Sequence, residues 1–157
     1  MTPQTAQTFA AQTAEALAAF TTVSIHDVAP NRRRGGDIRT VLSPATCGAK
    51  AGFMGTLTLL PGEVVTEHWH PYSEEFIYCV RGGITIRLNG IEQPLRAESG
   101  VHVPIGVRHR LMNTGDDEAF FVFTLGPLAP RPDLGHVDTE EISAAQAAAA
   151  HPHVGTA

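Results

Sequence analysis

Three histidines in two segments of the chain have the residue type and spacing of a metal site. His68 and His70 form a His-x-His pair at the end of the β-prone run Val64–His70. Because side chains two apart on a strand point to the same face, both imidazoles are predicted to reach one space. His109 begins another β-prone run further along the chain. Imidazole nitrogens are common ligands of zinc, iron, manganese, nickel and cobalt, so these three residues predict a site for one divalent metal ion.

A fourth ligand is predicted from one of two further residues. Glu75 opens the strand after the His-x-His pair and can return a carboxylate to the same space, whereas Glu74 beside it must then face away. His102 lies in the strand that leads to His109 and is the alternative, beside Glu75 or in its place. The apolar positions that alternate with His102 and compete with it for the interior are Val101, Val103 and Ile105. The sequence leaves this choice open.

Short β-prone runs separated by turn residues must position these groups. The predicted strands are Ile38–Leu42, Phe53–Leu60, Val64–His70, Glu75–Val80, Ile84–Asn89, Ile91–Leu95, Val101–Ile105, His109–Asn113 and Ala119–Leu125. Asn89-Gly90 is the strongest hairpin signal, because a type I′ turn needs positive φ at both central residues. Strands without intervening helices predict an all-β fold, a sandwich or jelly-roll barrel.

The ends of the chain have a different composition, which divides it into three predicted parts. Residues 1–30 form an N-terminal extension with a short helix, residues 31–137 the β-domain, and residues 138–157 a short helix with a flexible tail. The second helix is predicted to begin near Asp138 or Thr139, with acidic residues at its positive end. The histidines outside the predicted strands are expected at the surface: His26, His136, His151 and His153.

Composition excludes several classes of function. The net charge of -5 lacks the basic surface that nucleic acid requires. No apolar run approaches the roughly 18 residues that span a bilayer. The N-terminus has no charged region before an apolar core, so no signal peptide is predicted and the cytoplasm is the expected location. Cys47 and Cys79 are too few and too isolated for a disulfide framework, and both are expected to be reduced.

The spacing of the candidate ligands resembles that of the cupin superfamily. Its first motif, glycine, His-x-His, glutamate and glycine, is matched at Gly62, His68, His70, Glu75 and Gly82. Its second motif is matched at Pro104, Gly106, His109 and Asn113. One departure is Glu98, which stands where the family has a glycine six residues before the proline, with Gly100 two residues later. This predicts a different turn and leaves the ligands intact. The resemblance implies a cupin-type jelly roll with short peripheral helices.

The flanking segments resemble a narrower group, the small cupins that act as polyketide cyclases in bacterial aromatic polyketide and antibiotic biosynthesis. The segments that carry this resemblance are Asn31–Arg39, Gly52–Leu57, His70–Phe76, Val103–Arg110 and Leu125–Pro132. It implies regiospecific aldol condensation and dehydration of a poly-β-ketone, with one divalent metal ion, for which zinc is the first expectation.

Such chemistry needs a Lewis acid and a base in an apolar cavity. A divalent metal polarises a ketone, and the base would be a hydroxide on the metal, Glu75 or His102. Arg108, Tyr72 and Tyr78 could bind phenol-like oxygens. The predicted apolar lining comprises Phe53, Leu57, Leu59, Ile84, Ile86, Phe121 and Phe123.

Two other functions fit the same ligands. One is an iron- or manganese-dependent oxygenase acting on the aromatic product, and the other is a non-catalytic accessory subunit of a polyketide synthase complex. A homodimer is also predicted, because Phe76 and Tyr78 alternate with the inward residues of their strand and give the sheet an apolar outer face. The segment Arg32–Gly36 could cross to the partner.

Overall fold

The computed structural model describes residues 20–141, which form two antiparallel sheets. The strands are β1 (Asp37–Leu42), β2 (Phe53–Leu59), β3 (Val64–Trp69), β4 (Glu74–Arg81), β5 (Gly83–Leu88), β6 (Ile91–Arg96), β7 (Ser99–Val103), β8 (His109–Met112), β9 (Ala119–Gly126) and β10 (Val137–Asp138). A single helical turn, α1 (Pro44–Cys47), follows β1, and 3-10 turns lie at Ile25–Asp27 and Pro132–Leu134.

The two sheets have five strands each and pack face to face. Their strand orders are β1-β2-β9-β4-β7 and β10-β3-β8-β5-β6. Side chains alternate along each strand, so one side chain in two reaches the space between the sheets. In β9 the buried positions are Ala119, Phe121, Phe123 and Leu125, and β4 contributes Ile77 and Cys79. This alternation forms the apolar core and confirms the predicted all-β jelly-roll class.

The nine predicted strands are all present, with ends that differ by no more than two residues. The predicted start of a helix at Asp138 or Thr139 is wrong. Asp138 instead belongs to β10, which pairs with β3. The tertiary pairing overrides the local helix signal here. The predicted N-terminal helix and the body of the C-terminal helix lie outside the described residues. No helix within residues 20–141 is long and apolar enough to cross a bilayer.

Glu98 lies in the turn between β6 and β7. It has φ +62°, the left-handed conformation that a glycine adopts more readily than a residue with a β-carbon. Its backbone N–H donates to the carbonyl of Cys79, which ties the β6–β7 turn to β4. Asn89 and Gly90, with φ +47° and +86°, confirm the predicted type of hairpin turn.

Replacement of Glu98 by glycine is expected to raise the free energy of unfolding by about 0.5–1 kcal/mol. A left-handed backbone costs a residue with a β-carbon roughly 1–2 kcal/mol, and the greater freedom of glycine in the unfolded chain cancels part of that gain. Urea denaturation measures the difference. Glu92→Gly, at an exposed position in β6, should instead lower stability. A Glu98→Gly variant no more stable than the wild type would contradict the assignment.

Candidate metal centre

The two sheets bring His68, His70, His109 and Glu75 together at one end of the sandwich. His68 in β3 is paired directly with His109 in β8, and their ring centroids are 4.3 Å apart. His70 follows the end of β3, with its ring centroid 5.1 Å from that of His109. Glu75 approaches from β4 in the opposite sheet, and all four side chains are buried. The predicted three-histidine group and Glu75 are therefore adjacent.

Each of the three histidines has one ring nitrogen fixed by a backbone carbonyl. The Nδ1 atoms of His68, His70 and His109 lie 2.8, 3.0 and 3.0 Å from the carbonyl oxygens of Thr66, Gly135 and Val107, respectively. A carbonyl oxygen only accepts, so Nδ1 carries the proton and each neutral ring keeps its lone pair on Nε2. Hydrogen bonds of this kind fix the tautomer and orientation of metal-bound histidines in general.

The Nε2 atoms of His70 and His109 face the Glu75 carboxylate. They lie 3.2 and 3.0 Å, respectively, from Oε2 of Glu75. With Nδ1 protonated, the two neutral nitrogens and the carboxylate oxygen are all acceptors, and they repel one another unless a cation lies among them. His109 is fully buried, and its Nε2 is one of two buried side-chain polar atoms in residues 20–141 without a hydrogen-bond partner.

The pKa values of these groups reflect the same arrangement. Burial raises the pKa of Glu75, but contacts with His109 and His70 outweigh it, so the net pKa lies well below its usual range. Burial lowers the pKa of His109, yet the Glu75 carboxylate reverses the shift and raises it overall. For His68, burial and the charge of His109 hold the pKa well below its ordinary value. The cluster thus favours one added cation, either a proton shared with His109 or a metal ion.

The donor set fits a divalent metal ion. Ligand atoms roughly 2.0–2.2 Å from one ion lie about 3.0–3.5 Å apart, which matches the observed separations between Glu75 and the two histidines. The ligand atoms of His70, Glu75 and His109 all lie within 4.8 Å of one another. Neutral imidazoles with a carboxylate suit zinc, iron, manganese, nickel or cobalt.

His136 is a further member of the cluster that the sequence did not predict. Its ligand atom lies within 4.8 Å of those of His68 and His70, and its ring centroid is 4.5 Å from that of His70. Burial, His70 and Arg34 lower the pKa of His136 to about 3, so the ring is neutral at physiological pH. The expectation that His136 is a surface residue is therefore wrong, because the turn before β10 carries it inward.

Charged pairs hold β10 and His136 in place. Arg33 and Arg34 both form ion pairs with Asp138, and Arg110 forms one with Glu140. The backbone N–H of Thr139 also donates to the carbonyl of Glu67 in β3. These contacts tie the predicted crossing segment Arg32–Gly36 to its own chain, while its crossing to a partner stays a prediction.

The structure does not bring His102 or Arg108 to the cluster. His102 points to the outer face of the sheet, where it stacks on Phe76 and contacts Glu74 at 2.8 Å. Its register opposite Phe76 in β4 turns it outward, which corrects its prediction as ligand or base. Arg108 is exposed and is not among the residues that line the cavity at the cluster, so its predicted contact with a substrate oxygen stays a prediction. The exposed Tyr72 and Tyr78 are likewise not among the residues that line it.

Other motif residues hold the ligands in register. The N–H of Gly106, at φ +79°, donates to the carbonyl of His70 and so links the two motifs. Asn113 is buried, and its amide nitrogen donates to the carbonyls of Leu59 and Asp117. Its side-chain oxygen accepts from Gly115, so every polar atom of Asn113 has a structural partner.

A cavity of about 120 Å³ opens beside the ligands. Of the predicted apolar lining, Phe53, Leu57 and Phe123 contribute to its wall. The other predicted lining residues are buried in the core and lie away from the cavity wall: Leu59, Ile84, Ile86 and Phe121. Arg34 and His136 bring polar groups to the same wall.

This fold is that of a cupin. The family model described as "Cupin domain" matches residues 55–125. The chain is 59% identical over 119 residues to "Protein SchB" of Streptomyces halstedii, covering 76% of this chain and 86% of that protein. It is 52% identical over 132 residues to "Polyketide synthase CurC" of Streptomyces cyaneus, covering 84% of this chain and 86% of that protein. The chain therefore belongs to the cupin family and is similar to these Streptomyces proteins.

Solved structures agree on the fold. A predicted oxalate decarboxylase from Thermotoga maritima superimposes with a TM-score of 0.60 at 25% identity, covering 69% of this chain and all of that chain. The fold is thus common to proteins with different names, and the site must supply the argument for function.

Proposed function

We propose that the protein is a metal-dependent polyketide cyclase, which closes a ring in a poly-β-ketone by aldol condensation and dehydration. The observation that carries the proposal is the set of buried acceptors, His70, His109 and Glu75, that face one another and require a cation. The sequence similarity to a Streptomyces protein named as a polyketide synthase supports a polyketide as the substrate. Zinc is the expected ion.

The chain's own residues would hold the ion through His70, His109 and Glu75, and through His68, which together with His136 forms a second group of ligand atoms around His70. The ion would supply Lewis acidity to a ketone oxygen of the substrate. The carbonyls that fix each Nδ1 also fix the ring orientations, so the donor set is preorganised before an ion arrives.

The cavity wall would orient the substrate and limit the access of water. Phe53, Leu57 and Phe123 give it an apolar surface. Arg34, held by Asp138, places a cationic group at the same wall, where it can bind a second ketone oxygen. Glu75 is the one carboxylate among the described residues that line the cavity, so it would be the chain's candidate to accept an α-proton if it is not a ligand of the ion.

The decisive experiment reconstitutes the protein with zinc and adds it to a poly-β-ketone generated by a polyketide synthase, with and without an enzyme that closes the first ring. Addition of the zinc protein is expected to redirect the product mixture from spontaneous shunt products to one cyclised product, without oxygen uptake. Oxygen consumption with bound iron or manganese would instead identify an oxygenase. A His70→Ala variant that leaves the product distribution unchanged would identify an accessory protein.

The protein is also expected to act as a homodimer. Phe76, Tyr78 and Val80 are 49%, 48% and 43% exposed on the outer face of β4, as alternation predicted. Contiguous apolar surface of this kind commonly marks an interface. Light scattering that shows a monomer would contradict this expectation.

A further inference from the structure

A second cavity, which we call the side pocket, adjoins the cavity at the metal centre. Its volume is about 520 Å³, and its walls are α1, the start of β2 and the segment Leu128–His136. Four residues line both cavities: Thr40, Phe53, Leu125 and His136. The side pocket therefore opens directly beside a residue of the metal cluster.

The reacting ketone and the ion do not need the volume of the side pocket. The rest of a polyketide substrate does need additional volume beyond the cavity at the metal centre. The cavity at the metal centre, about 120 Å³, is smaller than the roughly 300–1,000 Å³ typical of small-molecule sites. Together the two cavities fall within that range. A ketone at the metal centre would leave the remainder of its molecule pointing past His136 and Phe53 into the side pocket.

The wall of the side pocket is built from rigid apolar groups. It includes the rings of Phe53, Pro44, Pro130 and Pro132, together with Leu128. Of the three hydroxyls in its wall, Ser73 donates to the carbonyl of Pro127 at 2.6 Å and Ser43 caps α1, which leaves Thr40. The pocket thus offers flat apolar contact and few free hydrogen-bond donors.

This chemistry selects against an open poly-β-ketone chain. Such a chain carries a carbonyl at every second carbon, and each carbonyl buried without a donor costs free energy. A ring formed by aldol condensation and dehydration has lost one carbonyl oxygen as water and keeps the others as phenol hydroxyls at its edge, so this cost is smaller, and its flat faces pack well on proline and phenylalanine rings.

We propose that the side pocket binds a flat unsaturated ring of the substrate, remote from the ketone that reacts. This inference rests on the proposed function, since it places the reacting ketone at the metal centre. It follows that an earlier ring closure with dehydration must supply the substrate, and that this protein closes a later ring.

The test compares the binding of three diketones to the zinc-loaded protein by calorimetry. Acetylacetone fits the cavity at the metal centre alone, naphthoylacetone adds a fused aromatic ring, and a diketone with a straight octyl chain adds a flexible apolar tail. Naphthoylacetone is expected to bind at least about tenfold more tightly than acetylacetone, because its ring buries apolar surface in the side pocket. The octyl compound should gain less, since it must lose more conformational freedom on binding.

Two variants fill the side pocket from opposite walls. Ala129→Phe places a ring in the side pocket from the Leu128–His136 segment, and Ala45→Phe places one there from α1. Ala45 is exposed, so a larger side chain at this position is compatible with folding. Both should remove most of the advantage of naphthoylacetone and leave acetylacetone binding unchanged. Ala97→Phe, in the exposed β6–β7 turn, is the matched control and should change neither. Thermal unfolding verifies that each variant is folded.

The outcomes separate this inference from the proposed function. An unchanged preference for naphthoylacetone in both variants would overturn the side pocket as a ring site, as would equal or tighter binding of the octyl compound. A second outcome is that acetylacetone does not bind, while naphthoylacetone binds the wild type but not the variants. This result would support the side pocket as a ring site and contradict the proposed contact between the metal ion and the ketone. If no diketone binds, both proposals fall.

Discussion

Replacement of His109 by alanine is expected to lower the affinity for zinc by at least about a hundredfold. Structural zinc sites bind with apparent free energies of roughly 10–16 kcal/mol, so one of four ligands contributes about 3 kcal/mol. His109 is fully buried, its Nδ1 is fixed by the carbonyl of Val107, and its Nε2 has no hydrogen-bond partner. Zinc titration against a competing chelator measures the loss.

His102→Ala is the matched control for this substitution. His102 is exposed and contacts Glu74 on the outer face of the sheet, so its removal should leave zinc affinity within about twofold, the size of a surface effect. Circular dichroism and thermal unfolding of the metal-free proteins test whether either variant has lost its fold. Zinc binding that survives in His109→Ala, or that is lost in His102→Ala, would contradict the assignment of the ligands.

Alternation within single strands could be predicted from the sequence, and it located most of the site. The two-residue period placed His68 and His70 together, and it turned Glu75 inward with Ile77 and Cys79. Those residues obey a local rule that depends only on strand geometry. The strands themselves were also predictable, because turn residues separate them at short intervals.

The wrong predictions concern His102 and His136, two residues whose positions depend on the pairing of strands distant in the chain. Whether His102 faces inward depends on its register opposite Phe76, which alternation within one strand does not fix. His136 reaches the site only because the two residues of β10 pair with β3, about 70 positions earlier in the chain. One sequence signal for that pairing is the charge match of Arg33 and Arg34 with Asp138, which becomes meaningful only once the partners are known.

Replacement of Glu75 by glutamine is expected to have opposite effects on the metal-free and zinc-loaded proteins. The amide can donate a hydrogen bond to Nε2 of His70 or His109, where the carboxylate can only accept. The variant should therefore be more stable than the wild type without metal at alkaline pH, by about 1 kcal/mol, the net value of a hydrogen bond between neutral groups. It should bind zinc about a hundredfold more weakly, because a neutral amide is a poorer ligand than a carboxylate.

The sign of the pH dependence follows from the shifted pKa values. Glu75 raises the pKa of His109, so their pairing stabilises the metal-free protein fully below the ordinary histidine pKa and loses that contribution as pH rises through the raised value. The wild type should lose stability over that interval, whereas Glu75→Gln should not, since its amide pairs with a neutral imidazole. Urea denaturation of the metal-free proteins at neutral and alkaline pH measures both curves.

Glu74→Gln is the control for Glu75→Gln, because it makes the same chemical change one residue away. Glu74 is partly exposed on the outer face and contacts His102, so its amide should alter neither zinc affinity nor the alkaline loss of stability. If Glu74→Gln reproduced the effects of Glu75→Gln, the inward direction of Glu75 would be wrong. If Glu75→Gln bound zinc as tightly as the wild type, the carboxylate would be free of the ion, and its part in the reaction would be that of a base.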